Sequence, residues 1–307
     1  MGRHCPEDGA LGMTDLSVEA LRALPPRELN RLETETAARF MGGLPWGSVL
    51  WGLGNLAVWL SLWPLTLSGM MPLWVAFPIA TLNVALCYLP SHEAQHRIIA
   101  REGEPLFWLN ELVGHLSPLP MLLPYGVARL THYEHHLHAN HPELDPDIHT
   151  KAPNAWRHLL NTIAHRQPGS ATGGNYFKAL TRIGTEEAKQ AGLVAGLYTL
   201  AYHAILFTLA WSGFAIEAAL IWWLPRILGS TYIQFYLSWA PHHPAAEMGR
   251  YRDTRAFRSH VGNLLSSGMQ FHVIHHLYPR IPLLRHAKAY AALRPFLVAR
   301  DCRLDGL

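Results

Sequence analysis

Residues 72–96 read PLWVAFPIATLNVALCYLPSHEAQH. From Pro72 to Leu89 no charged side chain interrupts an apolar run, and its length approaches the roughly 20 residues that a bilayer-crossing helix needs. Just beyond it stand His92 and His96, four positions apart, so within a helix both imidazoles share one face. The stretch predicts a membrane helix that carries two histidines at its polar end.

The same kind of spacing recurs twice. Thr131-His132-Tyr133-Glu134-His135-His136-Leu137-His138 and Phe271-His272-Val273-Ile274-His275-His276 each place imidazoles at i, i+3 and i+4. A lone histidine at a membrane edge is ordinarily a hydrogen-bonded structural residue. Three clusters of matching spacing read instead as a metal site. Eight convergent imidazoles exceed the four ligands of a structural zinc. They suit two metal ions, and imidazole with open coordination positions suits oxygen-activating non-haem iron.

Composition points the same way. Of 307 residues, 50% are hydrophobic and only 15% charged, against roughly 25% charged in soluble domains. The 11 tryptophans predict interfacial belts. A net charge of +3 without a basic run excludes nucleic acid as a partner. Cys5, Cys87 and Cys302 lack paired spacing, which excludes a disulfide framework.

Four apolar stretches, 49–67, 72–89, 192–211 and 215–240, predict spanning helices. The first two are joined by Ser68-Gly69-Met70-Met71 and the last two by a turn near 212–214, giving two hairpins. Lys and Arg concentrate in 1–45, 97–191 and 250–303, which the positive-inside rule assigns to the cytoplasm. Both termini and every histidine cluster then lie on one side. Residues 105–127 are apolar but broken by Pro118, Pro120 and Pro124, predicting a re-entrant or interfacial segment. Asn55 and Asn83 are expected in helix–helix contacts, and Arg226 receives no role. The expected architecture is an all-α integral membrane protein, with four transmembrane helices in two hairpins and a cytoplasmic helical cap carrying the clusters. Residues 1–45 form a cytoplasmic segment with helices near 18–24 and 28–40 and no signal-peptide core. Residues 46–290 form the membrane domain, and 291–307 a carboxy-terminal tail.

Two other function classes fit single features. His92-Glu93-Ala94-Gln95-His96 matches HExxH, in which Glu93 would be the general base of a zinc metalloprotease and Asp145 or Asp147 a further ligand. That leaves the other two clusters without a task, so Glu93 is expected to orient a ligand imidazole. A haem or metal carrier would want paired histidines inside the spans, where only His203 lies.

Taken jointly, HxxxH, HxxHH and HxxHH between two helical hairpins resemble the membrane fatty acid desaturase and hydroxylase superfamily over about residues 45–290. Asn110–His115, 140–147, Ala240-Pro241-His242-His243-Pro244 and 275–282 resemble bacterial carotenoid hydroxylases and ketolases, and similar segments occur among acyl-lipid desaturases. The resemblance implies two iron ions held by His92, His96, His132, His135, His136, His272, His275 and His276, with His242 as ninth ligand ahead of His243. His138 and His141 are expected outside the ligand set, and His115 is expected to be structural. Asp145 and Asp147 stay open between a rigid turn and contact with a cluster histidine.

The implied chemistry is O₂-dependent desaturation or hydroxylation of a long-chain lipid, with a fatty-acyl chain as substrate and a carotenoid ring as the alternative. No haem-binding HPGG stretch, flavin motif or cysteine cluster occurs. Electrons are therefore expected from a separate ferredoxin, rubredoxin or cytochrome-type donor. Arg250, Arg252, Arg255 and Arg258 suit lipid headgroups first and an acidic carrier second. The implied location is a bacterial inner membrane, with termini and histidine clusters cytoplasmic.

Overall fold

A computed structural model describes residues 17–164, 171–266 and 268–306; Cys5 and the rest of 1–16 lie outside the described residues. Two short helices lead in, α1 (Val18–Ala23) and α2 (Pro26–Ala38). Ser17 opens α1 by accepting from the Ala20 N–H, and Pro26 starts α2 where a missing N–H costs nothing. Then come α3 (Trp46–Leu67) and α4 (Leu73–Gln95), joined by a tight turn in which Gly69 takes the left-handed backbone. Helix α4 continues past its apolar run and delivers His92 in its last turn, with His96 as its cap.

In the proline-broken segment, α5 (Phe107–Leu116) is 10 residues long, or about 15 Å, half the hydrocarbon thickness of a bilayer. A 3₁₀ turn and the helix α6 (Tyr125–His138) follow. Next come α7 (Ala155–Ala164), α8 (Ala171–Ile183) and the long α9 (Glu186–Trp211), opened by the Thr185 side chain on the Ala188 N–H.

Helices α3, α4 and α9 are long and apolar enough to cross a membrane. The fourth expected span is helical from 215 to 242 but not uniformly wound. It runs as α10 (Ala215–Ala218), a π stretch (Ala219–Trp223), α11 (Leu224–Ile233), a second π stretch (Gln234–Trp239) and α12 (Ala240–His242). Each π stretch ends just before a proline, Pro225 or Pro241. A proline lacks the N–H the preceding turn expects and its ring crowds that turn, so the winding widens locally.

Close backbone approach joins these helices. A Cβ at Gly229 would lie 2.7 Å from Val84, and one at Gly52 2.8 Å from Pro90. Asn55 donates to the Asn83 carbonyl at 2.9 Å, as expected of a helix–helix contact. The Arg226 guanidinium lies 5.0 Å over the Tyr202 ring, which gives this arginine a cation–π partner on α9. The tryptophans divide rather than form belts alone. Trp59, Trp222 and Trp239 are buried, whereas Trp46, Trp74, Trp108, Trp156, Trp211 and Trp223 are exposed.

Beyond the last helical run, the strand β1 (Arg255–Phe257) precedes α13 (Gly262–Leu265), α14 (His272–Leu277) and α15 (His286–Ala299). The strand β2 (Arg303–Asp305) pairs in parallel with β1, Arg255 opposite Arg303. Packing runs across positions 45/46 and 290/291. Leu21, Leu29 and Ala37 share one core with Val273, Ile274, Leu293 and Leu297, and residue 291 falls inside α15. Apolar faces on helices as short as α1 and α2 cannot be buried alone, so the flanks close over the third cluster.

Glu33 ties these flanks together. Fully buried on α2, it accepts from Tyr278 at 2.8 Å, from Tyr251 at 3.2 Å and from Arg300 Nε at 3.1 Å. Removing one member of such a set strands the others without water. Glu33→Ala is expected to lower the unfolding free energy by about 3–5 kcal/mol, read as a loss of thermal stability in detergent.

Candidate metal centre

Four separate segments bring their histidines to one place. Helix α4 supplies His92 and His96, α6 supplies His132, His135 and His136, the end of the 215–242 run supplies His242, and α14 supplies His272, His275 and His276. The facing nitrogens of His92, His96, His132 and His275 all lie within 4.8 Å of one another, and those of His135, His242 and His276 form a second such group. His136 stands between the groups. Its Nε2 is 2.9 Å from that of His275, and its ring stacks on His276 with centroids 4.3 Å apart. The His272 ring lies 4.7 Å from His276 and 5.0 Å from His275.

This convergence is not a hydrogen-bond network. His132 Nε2 lies 2.9, 3.0 and 3.4 Å from the Nε2 atoms of His96, His136 and His275, yet one ring nitrogen carries either one proton or one lone pair. His92 Nε2, His272 Nδ1 and His276 Nε2 are buried with no hydrogen-bond partner among the described residues. Lone pairs aimed at a common point, about 3 Å apart, match nitrogens bound at ~2.0–2.1 Å to a shared cation. The donor set therefore fits metal ions, one for each group.

Burial also sets the protonation state. Desolvation, reinforced by neighbouring imidazoles, holds His132, His136, His272, His275 and His276 well below the ordinary histidine range, and His96 down to about 3. Neutral imidazole is the form that ligates. His135 differs. Burial pushes it down, but the Asp145 carboxylate at 2.8 Å outweighs that and carries it up to about 9. Its Nδ1–H donates to Asp145, leaving Nε2 to face His242 Nε2 at 3.2 Å. His242 is oriented in the same manner by donating Nδ1–H to the Asp253 carbonyl at 3.0 Å.

Asp145 answers the question left open by the sequence in both senses. It orients His135 and also accepts the N–H groups of Asn140 and Asp147, at 2.8 and 2.9 Å, so one carboxylate fixes both turn and ligand. Asp147 accepts from Tyr176 at 2.9 Å. The role expected of Glu93 is not observed. Its carboxylate accepts the Leu283 N–H and orients no imidazole. In an α-helix its position is about 100° around the axis from His92, so it faces α15's approach segment while the histidines face the centre.

The remaining histidines stay outside. His138 approaches Glu134, His141 Nδ1 accepts the N–H groups of Glu143 and Leu144, and His115 packs on the Tyr125 ring. His243 donates toward the Ala152 carbonyl, away from the groups. Sequence reasoning gave no role to three contributors. Tyr125 and Asn110 both donate to the Ala94 carbonyl, at 2.9 and 3.1 Å, and so fix the turn between His92 and His96. His286, buried with its ring 6.1 Å from His275, donates to the Ile281 carbonyl. A further histidine shortly after HxxHH was the available signal for it; the tyrosine contact had none.

The family model described as fatty acid desaturase matches residues 59–305. An sn-1 oleoyl-lipid 12-desaturase of Picosynechococcus sp. is 26% identical over 231 residues, covering 67% of this chain and 65% of its own. An sn-2 acyl-lipid omega-3 desaturase (ferredoxin), chloroplastic, of Helianthus annuus is 22% identical, covering 90% of this chain and 68% of its own. An sn-1 acyl-lipid omega-3 desaturase (ferredoxin) of Nostoc sp. is 23% identical, covering 73% and 69%. The chain thus spans about two thirds of the length of these curated relatives. With the family match extending over most of the sequence and all three histidine clusters, the chain belongs to the fatty acid desaturase family.

Proposed function

We propose that this chain is a membrane di-iron oxidoreductase that desaturates a long-chain acyl lipid with O₂ and two electrons from a ferredoxin-type carrier. The observation that carries the proposal is the pair of adjacent imidazole groups, in which His92 Nε2 and His276 Nε2 are buried with no hydrogen-bond partner among the described residues. Family membership implies iron, and the nine histidines from His92 to His276 described above are its proposed ligands. What iron would supply is activation of O₂ and removal of hydrogen from two neighbouring carbons of an unactivated chain.

The protein's own part is to position and to dry. Asp145 and the Asp253 carbonyl fix which nitrogen of His135 and His242 faces inward. Leu89, Met269 and Leu283 pack as a buried apolar cluster beside the ends of α4 and α14 and keep water from them. No side chain is asked to act as nucleophile. The balance closes as two hydrogens from the acyl chain, two external electrons and two protons reducing one O₂ to two waters.

For topology, the reading is two hairpins, α3–α4 and α9 with the 215–242 run, with both termini and the centre on the cytoplasmic face of a bacterial inner membrane. The distribution of Lys and Arg supports that orientation. The relatives are acyl-lipid desaturases by name, which favours an acyl chain over a carotenoid ring. HExxH proteolysis loses its base, since Glu93 serves the backbone.

Purified protein is expected to carry two irons per chain by elemental analysis, and a host expressing it to accumulate new unsaturated acyl chains. His135→Ala and His275→Ala should each abolish iron loading and product; activity retained in either would sink the assignment. Oxygenated carotenoid in a pigment-making host, with acyl chains unchanged, would move the substrate to the carotenoid class.

Asp145→Asn keeps the shape but weakens the anchor of His135. Iron affinity, measured by chelator competition, should fall about 10–100-fold, with activity following it. An unchanged affinity would mean that Asp145 serves the turn alone.

A further inference from the structure

The loop between the last helical run and the third cluster covers the centre. Asn140 Nδ2 donates to the Glu247 and Asp253 carbonyls at 2.7 and 2.8 Å, and His242 Nδ1 donates to the same Asp253 carbonyl. Asp253 is buried, but Arg252 beside it is exposed. One hydrogen bond therefore separates the backbone next to a solvent-exposed residue from an imidazole of the second group.

The surface around this point is cationic. Asp305 pairs with Arg255 at 2.8 Å, Asp301 with Arg22 at 2.5 Å, and Glu33 with Arg300 at 3.1 Å, so these three acids are already matched, while the Asp253 carboxylate is buried beneath the surface. Arg250, Arg252 and Arg258 are exposed and form no ion pair among the described residues, against one exposed unpaired carboxylate, Glu247. The parallel pairing of β1 with β2 adds Arg303, which holds the His243 carbonyl at 3.1 Å. Tyr251, between two of these arginines, packs on the core shared by α1, α2, α14 and α15. No residue of the three long apolar helices belongs to that core, so the patch is built on the cap and not on the bilayer-facing helices.

We propose that the arginine loop 250–258 is the docking surface of a small acidic one-electron carrier, and that electrons enter the centre through the Asp253 carbonyl and His242. The partner is an iron–sulfur protein of ferredoxin type. This rests on the oxidoreductase reading above. Each docking event transfers one electron and oxidises one carrier; two successive carriers supply the two electrons that, with two protons and the two C–H hydrogens, reduce O₂ to water. A cationic rim over a short path accelerates encounter with an acidic partner and makes it salt-sensitive, as suits a transient electron-transfer contact.

The test uses the full chain in detergent and a fluorescently labelled plant-type [2Fe–2S] ferredoxin. Arg252→Glu with Arg258→Glu is expected to raise the Kd about tenfold or more, while the corresponding Arg→Lys pair stays near the unmutated value. Binding to the unmutated chain should weaken steadily as NaCl rises. Turnover driven by reduced ferredoxin should show a raised KM in the Glu variant, with turnover driven by dithionite unchanged. An unaltered Kd in a folded Glu variant, or salt-independent binding to the unmutated chain, overturns the proposal. It is overturned too if ferredoxin binding persists while the substitutions remove a stability gain on moving from phosphatidylcholine to phosphatidylglycerol nanodiscs, since the arginines then serve headgroups. Ferredoxin binding that follows the expected charge pattern, without product from either reductant, supports the docking surface and defeats only the desaturase reading.

Discussion

Buried imidazole nitrogens must find a proton, an acceptor or a cation, and most of this architecture follows from how the chain meets that requirement. An unsatisfied buried polar atom costs about 1–3 kcal/mol, and His92, His272 and His276 each present one. Nothing within a single helix relieves the cost. Convergence of four segments far apart in sequence brings these atoms together, where a cation between them would relieve it. Metal binding and the closing of the cap would then be one thermodynamic event, because the unfolded chain holds no such site.

Convergence alone would leave each ring free to turn, and the surrounding hydrogen bonds remove that freedom. Asp145 and the Asp253 carbonyl occupy the outward nitrogens of His135 and His242. Tyr125 and Asn110 clamp the Ala94 carbonyl, and Tyr133 donates to the Gln95 carbonyl, so α6 holds the end of α4 from the side. Asn140 does the same for the loop beyond His242, bonding two of its carbonyls. The orienting layer is thus drawn from residues near the clusters in sequence and also from a loop more than a hundred positions away.

That division explains what could be read in advance. The apolar runs and the three histidine spacings are periodic and local, so α3, α4, α9 and the convergence of the clusters were legible. Winding of the 215–242 run was not, because Pro225 and Pro241 act through the turns preceding them, which carry no pattern of their own. Glu93 misled because HExxH fixes only its spacing; which of two faces the helix turns toward the centre is decided by packing against Leu283. The contacts of the flanks were illegible for another reason. Pairing of Arg255 with Arg303, and of Glu33 with Arg300, joins residues with no shared periodicity, and only closure of the cap brings them together.

The polarity of the molecule follows from the same economy of satisfied groups. Helix α9 keeps an apolar surface that nothing among the described residues covers, including Leu193, Leu197, Leu200, Phe207 and Trp211, as a lipid environment allows. Every ion pair that Glu33, Asp301 or Asp305 makes lies instead in the cap. The centre stands where these two environments meet. Apolar packing by Leu89, Met269 and Leu283 borders it on one side and the Asn140–Asp253 network on the other. On the proposed reading, a long apolar chain would approach such a centre from the first side and a water-soluble electron carrier from the second. Two such separate borders would let one small buried site serve a substrate dissolved in lipid and an electron source dissolved in water.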